Sequence, residues 1–286
     1  MFMSPDLPID QDATAALKQV AGEMVDLMLS VLSDGLDHPE LWAAIPDFVR
    51  EQPMLLPALE HRLHTSFGVE EVMVRLLLGV CGGALGETAE VLAALRPLAA
   101  DYSQSPLVQG VLFHLEGLLD PESPKYRLEG RICPTPFIQM DVLENSAHLC
   151  CASWLGTSVG DLSGGGDGQA VWNSGTAQAI RASIHDGSYR YCNKGTCPTI
   201  QSGNLVPGAE LAERSSKWRA ILEGGLTAVP EGPEVVNLAY DRTCNLSCPS
   251  CRVEAFAADA ETRGRFAAMQ ERAILPLLTD ARLVFI

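Results

Sequence analysis

Apolar residues recur every three or four positions over the first 120 residues, which is the spacing of one face of an α-helix. The first such segment carries them at Leu17, Val20, Met24, Leu27 and Val31. Further helices are predicted over 55–64, 69–81, 87–99 and 106–119, the last with Ser105 as its N-cap and Pro106 at its first position. Short helices joined by short turns predict a helical domain, built as a bundle of hairpins or as a stack of repeats.

The pattern changes after residue 120. Residues 125–207 are rich in Gly, Ser, Cys and aromatic residues and lack long helical periods. A helix over 210–222 and a linker with Gly and Pro are predicted next, across 208–232. The apolar run from Val235 to Tyr240 predicts a buried strand, and a helix over 254–278 and a second strand over 281–286 follow it. Residues 233–286 therefore predict a strand–helix–strand unit.

Charge and composition exclude several classes of function. Acidic residues number 36 against 20 basic ones, a net charge of −16, so a nucleic-acid backbone would be repelled. The start of the chain lacks the pattern of a signal peptide, and the most apolar window, 72–85, is interrupted by Arg75 and is too short to span a bilayer. These features predict a cytoplasmic protein without a membrane partner. Nine cysteines in a reducing compartment favour metal ligands over disulfides.

Three of these cysteines, Cys244, Cys248 and Cys251, follow the predicted strand with the spacing C-x3-C-x2-C. Three thiolates can hold one iron–sulfur cluster and leave one of its irons open to a ligand that is not protein. Zinc prefers four ligands, commonly two C-x2-C pairs, so a zinc site is the less favoured reading, and thiols without a metal are a third.

The strand and the three cysteines after it resemble the radical S-adenosylmethionine (radical SAM) superfamily. The resemblance implies that Cys244, Cys248 and Cys251 hold a catalytic [4Fe–4S] cluster, whose open iron binds S-adenosylmethionine and whose electron cleaves it to a 5′-deoxyadenosyl radical. It also implies a partial (β/α)6 barrel and an electron donor such as a flavodoxin or a ferredoxin. Residues 233–286 match only the start of such a barrel, so we expect the chain to be truncated or partial and inactive alone.

A second group of cysteines lies in the middle region, at Cys133, Cys150, Cys151, Cys192 and Cys197. Four thiolates could close a complete set around a cluster or a zinc ion. The order of the motifs around them, from Cys-Pro-x-Pro-Phe at 133–137 to Cys-Pro at 197–198, resembles SPASM and twitch domains. The resemblance implies a second, auxiliary [4Fe–4S] cluster. Adjacent strand residues face opposite ways, so Cys150 at the end of a predicted strand is favoured as the ligand over Cys151.

Other residues give weaker predictions. Trp154 and Trp172 are interpreted as core aromatics, and Arg181 as the partner of a local acid or of a substrate carboxylate. Cys81 is predicted to be a buried apolar residue. His61 and His64 are one helical turn apart and are predicted to be a solvated surface pair.

The sequence thus predicts an α+β multidomain protein. Its parts are a helical domain over 1–120 that is a bundle or resembles tetratricopeptide repeats, a SPASM-like domain over 125–207, a connecting helix and linker over 208–232, and the first β-α-β piece of a radical SAM core over 233–286. The resemblance implies an enzyme that modifies a peptide, a protein or a small molecule. The alternative is a non-catalytic metal- or cluster-binding protein whose helical domain recruits a partner.

Overall fold

The computed structural model describes residues 19, 22–23, 26–27, 47–48, 50–52, 55–163, 167–241, 243 and 257–286. The chain combines helices with two small sheets and divides into two compact units, residues 1–121 and 122–286. The helices predicted before residue 55 lie largely outside the described residues, and Cys244, Cys248 and Cys251 lie outside them entirely. None of the helices in the described ranges is both long and apolar enough to cross a bilayer.

The first unit contains four helices that are described in full. They are α1 Leu55–Leu63, α2 Val69–Leu85, α3 Thr88–Asp101 and α4 Pro106–Leu119. Helix α4 begins as predicted, because the Ser105 side chain accepts a hydrogen bond from the Val108 N–H at 3.3 Å. Helix α2 runs four residues beyond the predicted end and stops where Gly86 takes the left-handed conformation, with φ of 93°.

Apolar side chains fill the core of this unit. Each helix packs on the next, and α2 also contacts α4. Leu59, Val74, Leu77, Cys81 and Leu115 are fully buried there, so the prediction that Cys81 is a buried apolar residue is confirmed. Glycines in α2 permit the close packing: a Cβ at position 79 or 82 would overlap α3, and one at position 83 would overlap α4.

The second unit is organised around a five-stranded sheet with the order β4-β3-β2-β6-β7. The strands are β2 Gln139–Leu143, β3 Ser146–His148, β4 Gly160–Asp161, β6 Val235–Ala239 and β7 Leu283–Phe285. β2, β6 and β7 are parallel neighbours, whereas β3 and β4 are antiparallel. A second, two-stranded sheet pairs β1 Arg131–Ile132 with β5 Val206–Pro207. The strand predicted to begin at Val235 is confirmed, and its parallel pairing with β2 places both in one sheet.

Helices flank these strands. They are α5 Thr135–Ile138, α6 Gly168–Trp172, α7 Gly175–His185, α8 Pro198–Gln201, α9 Gly208–Arg214 and α10 Ser216–Glu223. Residues 125–207 are predicted to be poor in long helical periods, and α7, with 11 residues, is the longest helix described there. The single helix predicted over 210–222 is wrong. Ser215 is extended and caps α10 by accepting a hydrogen bond from the Trp218 N–H at 3.2 Å, which divides the segment in two.

The last helical segment connects β6 to β7. It begins as α11 Ala260–Met269, where the Asp259 carboxylate accepts a hydrogen bond from the Thr262 N–H at 2.7 Å. A π-helical turn, Gln270–Ile274, and a short helix, α12 Leu275–Leu277, follow. Pro276 has no N–H for the carbonyl of Arg272, and this explains why the helix widens there. Because β7 pairs in parallel with β6, the segment is a β-α-β unit.

Candidate metal centre

Cys133 lies between β1 and α5, immediately before the Pro134–Thr135 pair that begins the helix. Burial raises the pKa of its thiol, and side-chain and backbone hydrogen bonds with Thr135 partly offset that rise. The charge of Cys197, a residue distant in the sequence, raises it further.

Cys150 follows the end of β3 by two residues. β3 ends at His148, which pairs with Asp141, the middle residue of β2. The expectation that the strand continues to Cys150 is wrong, since Leu149 and Cys150 form a bend. The alternation of strand side chains therefore does not separate Cys150 from Cys151, and any difference between the two must come from the turn that contains them.

Cys192 and Cys197 lie in the loop between α7 and α8, which is fixed by its own backbone. The N–H groups of Cys192 and Cys197 donate to the carbonyls of Tyr189 and Asn193 at 3.0 and 2.9 Å. The Asn193 N–H in turn donates to the carbonyl of Trp154 at 2.7 Å. This last bond joins the loop to the turn that follows Cys151, and so brings two cysteine-bearing segments together.

The four thiols interact with one another through their charges. Burial raises the pKa of Cys192 well above its ordinary value, and Cys133, Cys197 and Cys150 raise it further. Burial likewise raises the pKa of Cys150 to about 12, with added contributions from Cys133 and Cys197. Cys151 adds no charge effect to these shifts, although a hydrogen bond with its backbone lowers the pKa of Cys150. The charge effects thus connect Cys133, Cys150, Cys192 and Cys197, which come from three separate segments, and do not include Cys151.

All the cysteines in the described residues are free thiols. Within the described ranges, no group of three or more His, Cys, Asp or Glu side chains is arranged so that it could hold a metal ion. A single zinc ion would need its sulfurs about 3.8 Å apart, since Zn–S bonds are about 2.3 Å long and tetrahedral. An iron–sulfur cluster carries each thiolate on a different iron and therefore needs a wider spacing.

Tyr189 and Lys194 lie beside this group. The Tyr189 hydroxyl donates to the carbonyl of Arg131 at 2.9 Å, and the ring is fully buried. Burial and the charges of Cys133 and Cys192 raise the pKa of Tyr189. Burial lowers the pKa of Lys194 to about 8, against the opposing effect of Cys192. The group therefore has a neutral phenol and one cation at its border.

Arg181 on α7 has neither of the two roles predicted for it. It is fully buried, and in the described structure it forms no ion pair with a carboxylate. Its guanidinium donates instead to the carbonyls of Pro136, Trp172 and Thr227, at 2.9, 3.0 and 2.9 Å. It also donates to the Asn173 side-chain oxygen at 2.9 Å and stacks over the Trp172 ring at 4.3 Å. Burial lowers its pKa to about 10.

The contacts of Arg181 position the first cysteine segment. Pro136 belongs to α5, directly after Cys133, and Thr227 belongs to the segment that leads into β6. The Trp172 indole N–H donates to the carbonyl of Glu231 at 2.9 Å, which anchors the same segment a second time. Trp172 is fully buried, so its interpretation as a core aromatic is confirmed, whereas Trp154 is only partly buried and lies outside the buried core. His61 and His64 are exposed, as predicted.

Sequence reasoning missed the role of α7. The signal was present: Ser174 at the N-cap, followed by Ala177, Ile180 and Ile184 at helical spacing. In the structure the Ser174 hydroxyl accepts a hydrogen bond from the Ala177 N–H at 3.2 Å. All three apolar residues are fully buried, and Arg181 follows Ile180 on the same helix. The helix period thus predicts a buried Arg181, whereas its backbone acceptors have no signature in sequence.

A cavity of about 420 Å³ lies elsewhere in this unit, at the carboxyl-terminal ends of β2 and β6. Its lining includes Glu144 after β2, Tyr240 after β6 and Arg265, Phe266 and Arg272 of the helical segment. Cys150, by contrast, follows the end of β3, and β3 runs antiparallel to β2, towards the amino-terminal end of that strand. None of the four cysteines is among the described residues that line the cavity.

Comparison with known proteins leaves the chain without a match: no family model, no curated protein and no solved structure matches it.

Proposed function

We propose that this protein binds two [4Fe–4S] clusters and acts as a radical SAM enzyme. The observation that carries the proposal is the mutual interaction of Cys133, Cys150, Cys192 and Cys197, the four residues that the resemblance to SPASM domains selects. The β-α-β unit from β6 to β7 supports it as well, because Cys244, Cys248 and Cys251 fall within its connection, as at the start of a radical SAM core.

In this proposal Cys244, Cys248 and Cys251 hold the catalytic cluster and bind S-adenosylmethionine through its open iron. When bound, that cluster supplies the electron for reductive cleavage of the cofactor. The substrate is a peptide, a protein or a small molecule, and the reductant is a cytoplasmic flavodoxin or ferredoxin.

The surrounding residues have defined tasks at the auxiliary site. Burial keeps water away from the sulfurs of Cys133, Cys150 and Cys192. Thr135 provides hydrogen bonds to Cys133, which stabilise its thiolate. Because these thiols have raised pKa values, loading the site must release protons, and loading should be faster at alkaline pH.

Anaerobic reconstitution with iron and sulfide tests the proposal. The purified chain should turn brown and hold about eight irons if both sites fill with four-iron clusters. Replacing Cys244, Cys248 and Cys251 together by Ala should remove about half of this iron. Cys81→Ala is the control, because Cys81 is buried in the helical unit, away from both groups in sequence, and should keep all of it. Zinc in place of iron after anaerobic loading would favour the non-catalytic alternative.

A matched pair tests the auxiliary site alone. Cys150→Ala should lose the auxiliary cluster, and Cys151→Ala should keep it, because only Cys150 interacts with the other three thiols. Iron content and the visible absorption band measure the outcome. Equal loss in the two variants would show that the ligand set is wrong.

Production of 5′-deoxyadenosine distinguishes the enzyme from the alternative. A protein that carries a full barrel and both clusters, incubated with S-adenosylmethionine and a strong reductant, should form it only while Cys244, Cys248 and Cys251 are intact. If a protein with a full barrel held iron in both sites and still formed no 5′-deoxyadenosine, that result would favour the alternative, a cluster-binding protein that does not catalyse this reaction.

A further inference from the structure

The cavity at the carboxyl-terminal edge of the sheet is built by three separate segments. Because β2 and β6 are parallel and in register from Gln139↔Val235 to Leu143↔Ala239, their carboxyl ends share one edge. Glu144 and Tyr240, which follow these ends, both line the cavity. In open parallel sheets this edge is where ligands bind. The volume of about 420 Å³ lies in the range of small-molecule sites.

One wall of the cavity is apolar. The rings of Tyr240 and Phe266 meet edge to face, with centroids 5.5 Å apart and planes at 70°. Met269, one turn further along the helix, is buried beside them. This arrangement fixes the aromatic rings and offers a thioether that adapts its shape. Such a wall accepts the flat or aliphatic body of a small molecule.

A second part of the lining is polar, and hydrogen bonds hold its residues in place. Arg272, in the π-helical turn, donates from Nη2 to the carbonyls of Leu162 and Ser163 at 3.1 and 3.2 Å. The Asp161 carboxylate accepts from the side chains of Asn145 and Ser163, at 2.9 and 2.6 Å. These bonds hold the residues that line this side of the cavity before any ligand arrives.

Two guanidinium groups lie along the helical face of the cavity. Arg265 and Arg272 are seven residues apart, about 10 Å along a helix. Within the described ranges neither forms an ion pair with a carboxylate, and each uses only Nη2 in hydrogen bonds to described residues. A guanidinium has five N–H donors in a fixed fork that matches a carboxylate. Glu144 adds a negative charge to the same lining, which disfavours a doubly charged phosphate.

We propose that this cavity binds a small monocarboxylate with an apolar body, the carboxylate at Arg265 or Arg272 and the body against Tyr240, Phe266 and Met269. None of the four cysteines of the auxiliary group is among the described residues that line this cavity. Its ligand is a substrate or an effector other than S-adenosylmethionine.

Ligand-observed NMR on the full chain tests the proposal with 3-phenylpropionate as the probe. A ligand of this size should bind with a dissociation constant of about 1 mM, and its neutral analogue 3-phenylpropanamide about tenfold more weakly or worse. Phe266→Ala and Arg265→Met should each weaken the binding of the probe by about tenfold. Arg219→Met, an exposed residue on α10 outside the cavity, is the matched control and should bind as the parent does.

Arg272→Met should also weaken binding, with its folding checked by circular dichroism because Arg272 holds two carbonyls. If Arg272→Met unfolds, Arg265→Met alone tests the role of the guanidinium groups. Equal binding of the acid and the amide, tighter binding of phenyl phosphate, or unchanged binding in both Arg265→Met and Phe266→Ala would overturn the proposal. Displacement of the probe by S-adenosylmethionine would overturn it too, since the cavity would then belong to the cofactor. Iron content is measured on the same samples, so a failure here is distinct from a failure of the two-cluster proposal.

Discussion

Each of the two units is stabilised internally by a different kind of contact. In the described part of the helical unit the core consists mainly of aliphatic side chains, with Cys81 and Phe113 among them, and its buried polar residues are Thr88 and Gln109 alone. In the unit of residues 122–286, Arg181, Asn193 and Asp141 are buried as well, and Arg181 bonds carbonyls from three segments. Apolar packing tolerates a change of shape better than a buried polar network tolerates the loss of one member. The cysteine group lies in the second kind of unit.

The largest effect is expected from Arg181→Met. The substitution keeps much of the apolar stem but leaves the carbonyls of Pro136, Trp172 and Thr227 without a donor. Unpaired buried acceptors cost about 1–3 kcal/mol each, so the free energy of unfolding of residues 122–286 should fall by about 4 kcal/mol or more. Peptide-resolved hydrogen exchange measures each unit separately, and the helical unit should keep its protection.

A conservative partner variant sharpens that result. Arg181→Lys retains the charge but cannot reproduce the fork of donors that reaches four acceptors. Its free energy of unfolding should therefore be close to that of Arg181→Met. If Arg181→Lys were as stable as the parent chain, charge alone would hold this unit, and the difference between the two units would be smaller than described.

Leu77→Ala is the corresponding change in the helical unit. Leu77 is fully buried on α2, and removal of its methyl groups should lower the free energy of unfolding of residues 55–121 by about 3 kcal/mol. Leu77→Met nearly conserves the volume and should cost less than about 1.5 kcal/mol. Urea unfolding of the two variants checks this. A cost for Leu77→Met as large as that for Leu77→Ala would show that this core, too, depends on a specific shape.

A pair of glycines compares the tightness of packing in the two units. A Cβ at Gly168 would overlap the carbonyl of Ala273 and the side chain of Leu277, so Gly168→Ala should destabilise residues 122–286 by about 2 kcal/mol. Gly110, in the middle of α4, has open space around it, and Gly110→Ala should stabilise the helical unit by about 0.5–1 kcal/mol. Thermal unfolding followed by circular dichroism shows whether each variant is more or less stable than the parent chain. If both variants were stabilised, or both destabilised, the comparison would be contradicted.

The same difference explains what the sequence could predict. Helix periodicity and capping depend on neighbours in the chain, and they predicted α4 from Pro106 to Leu119 as the structure has it. The pairing of β2 with β6 joins residues far apart in sequence, and no local pattern encodes it. The order of the motifs predicts the cysteines of the auxiliary group, and their role as ligands stays a prediction. The end of β3 at His148, the break at Ser215 and the acceptors of Arg181 depend on backbone geometry, which the residue types do not reveal.

The smallest effect concerns the loop that leads to Cys192, and it depends on pH. Burial would raise the pKa of Asp186, but hydrogen bonds from Ser188 and the ion pair with Arg190, 2.6 Å away, lower it on balance. A carboxyl whose pKa is lowered on folding stabilises the native state above its unfolded pKa of about 4 and loses that contribution as the pH falls through the folded value. Asp186→Asn should therefore be less stable than the parent at pH 7, and the gap should close below about pH 4. Because Asp186 is partly exposed, the gap should be small and should shrink in high salt. Urea unfolding of the metal-free protein from pH 3 to pH 7 measures it, and a gap that stays constant over this range would mean that Asp186 acts through its shape and its hydrogen bonds alone, with no part for its charge.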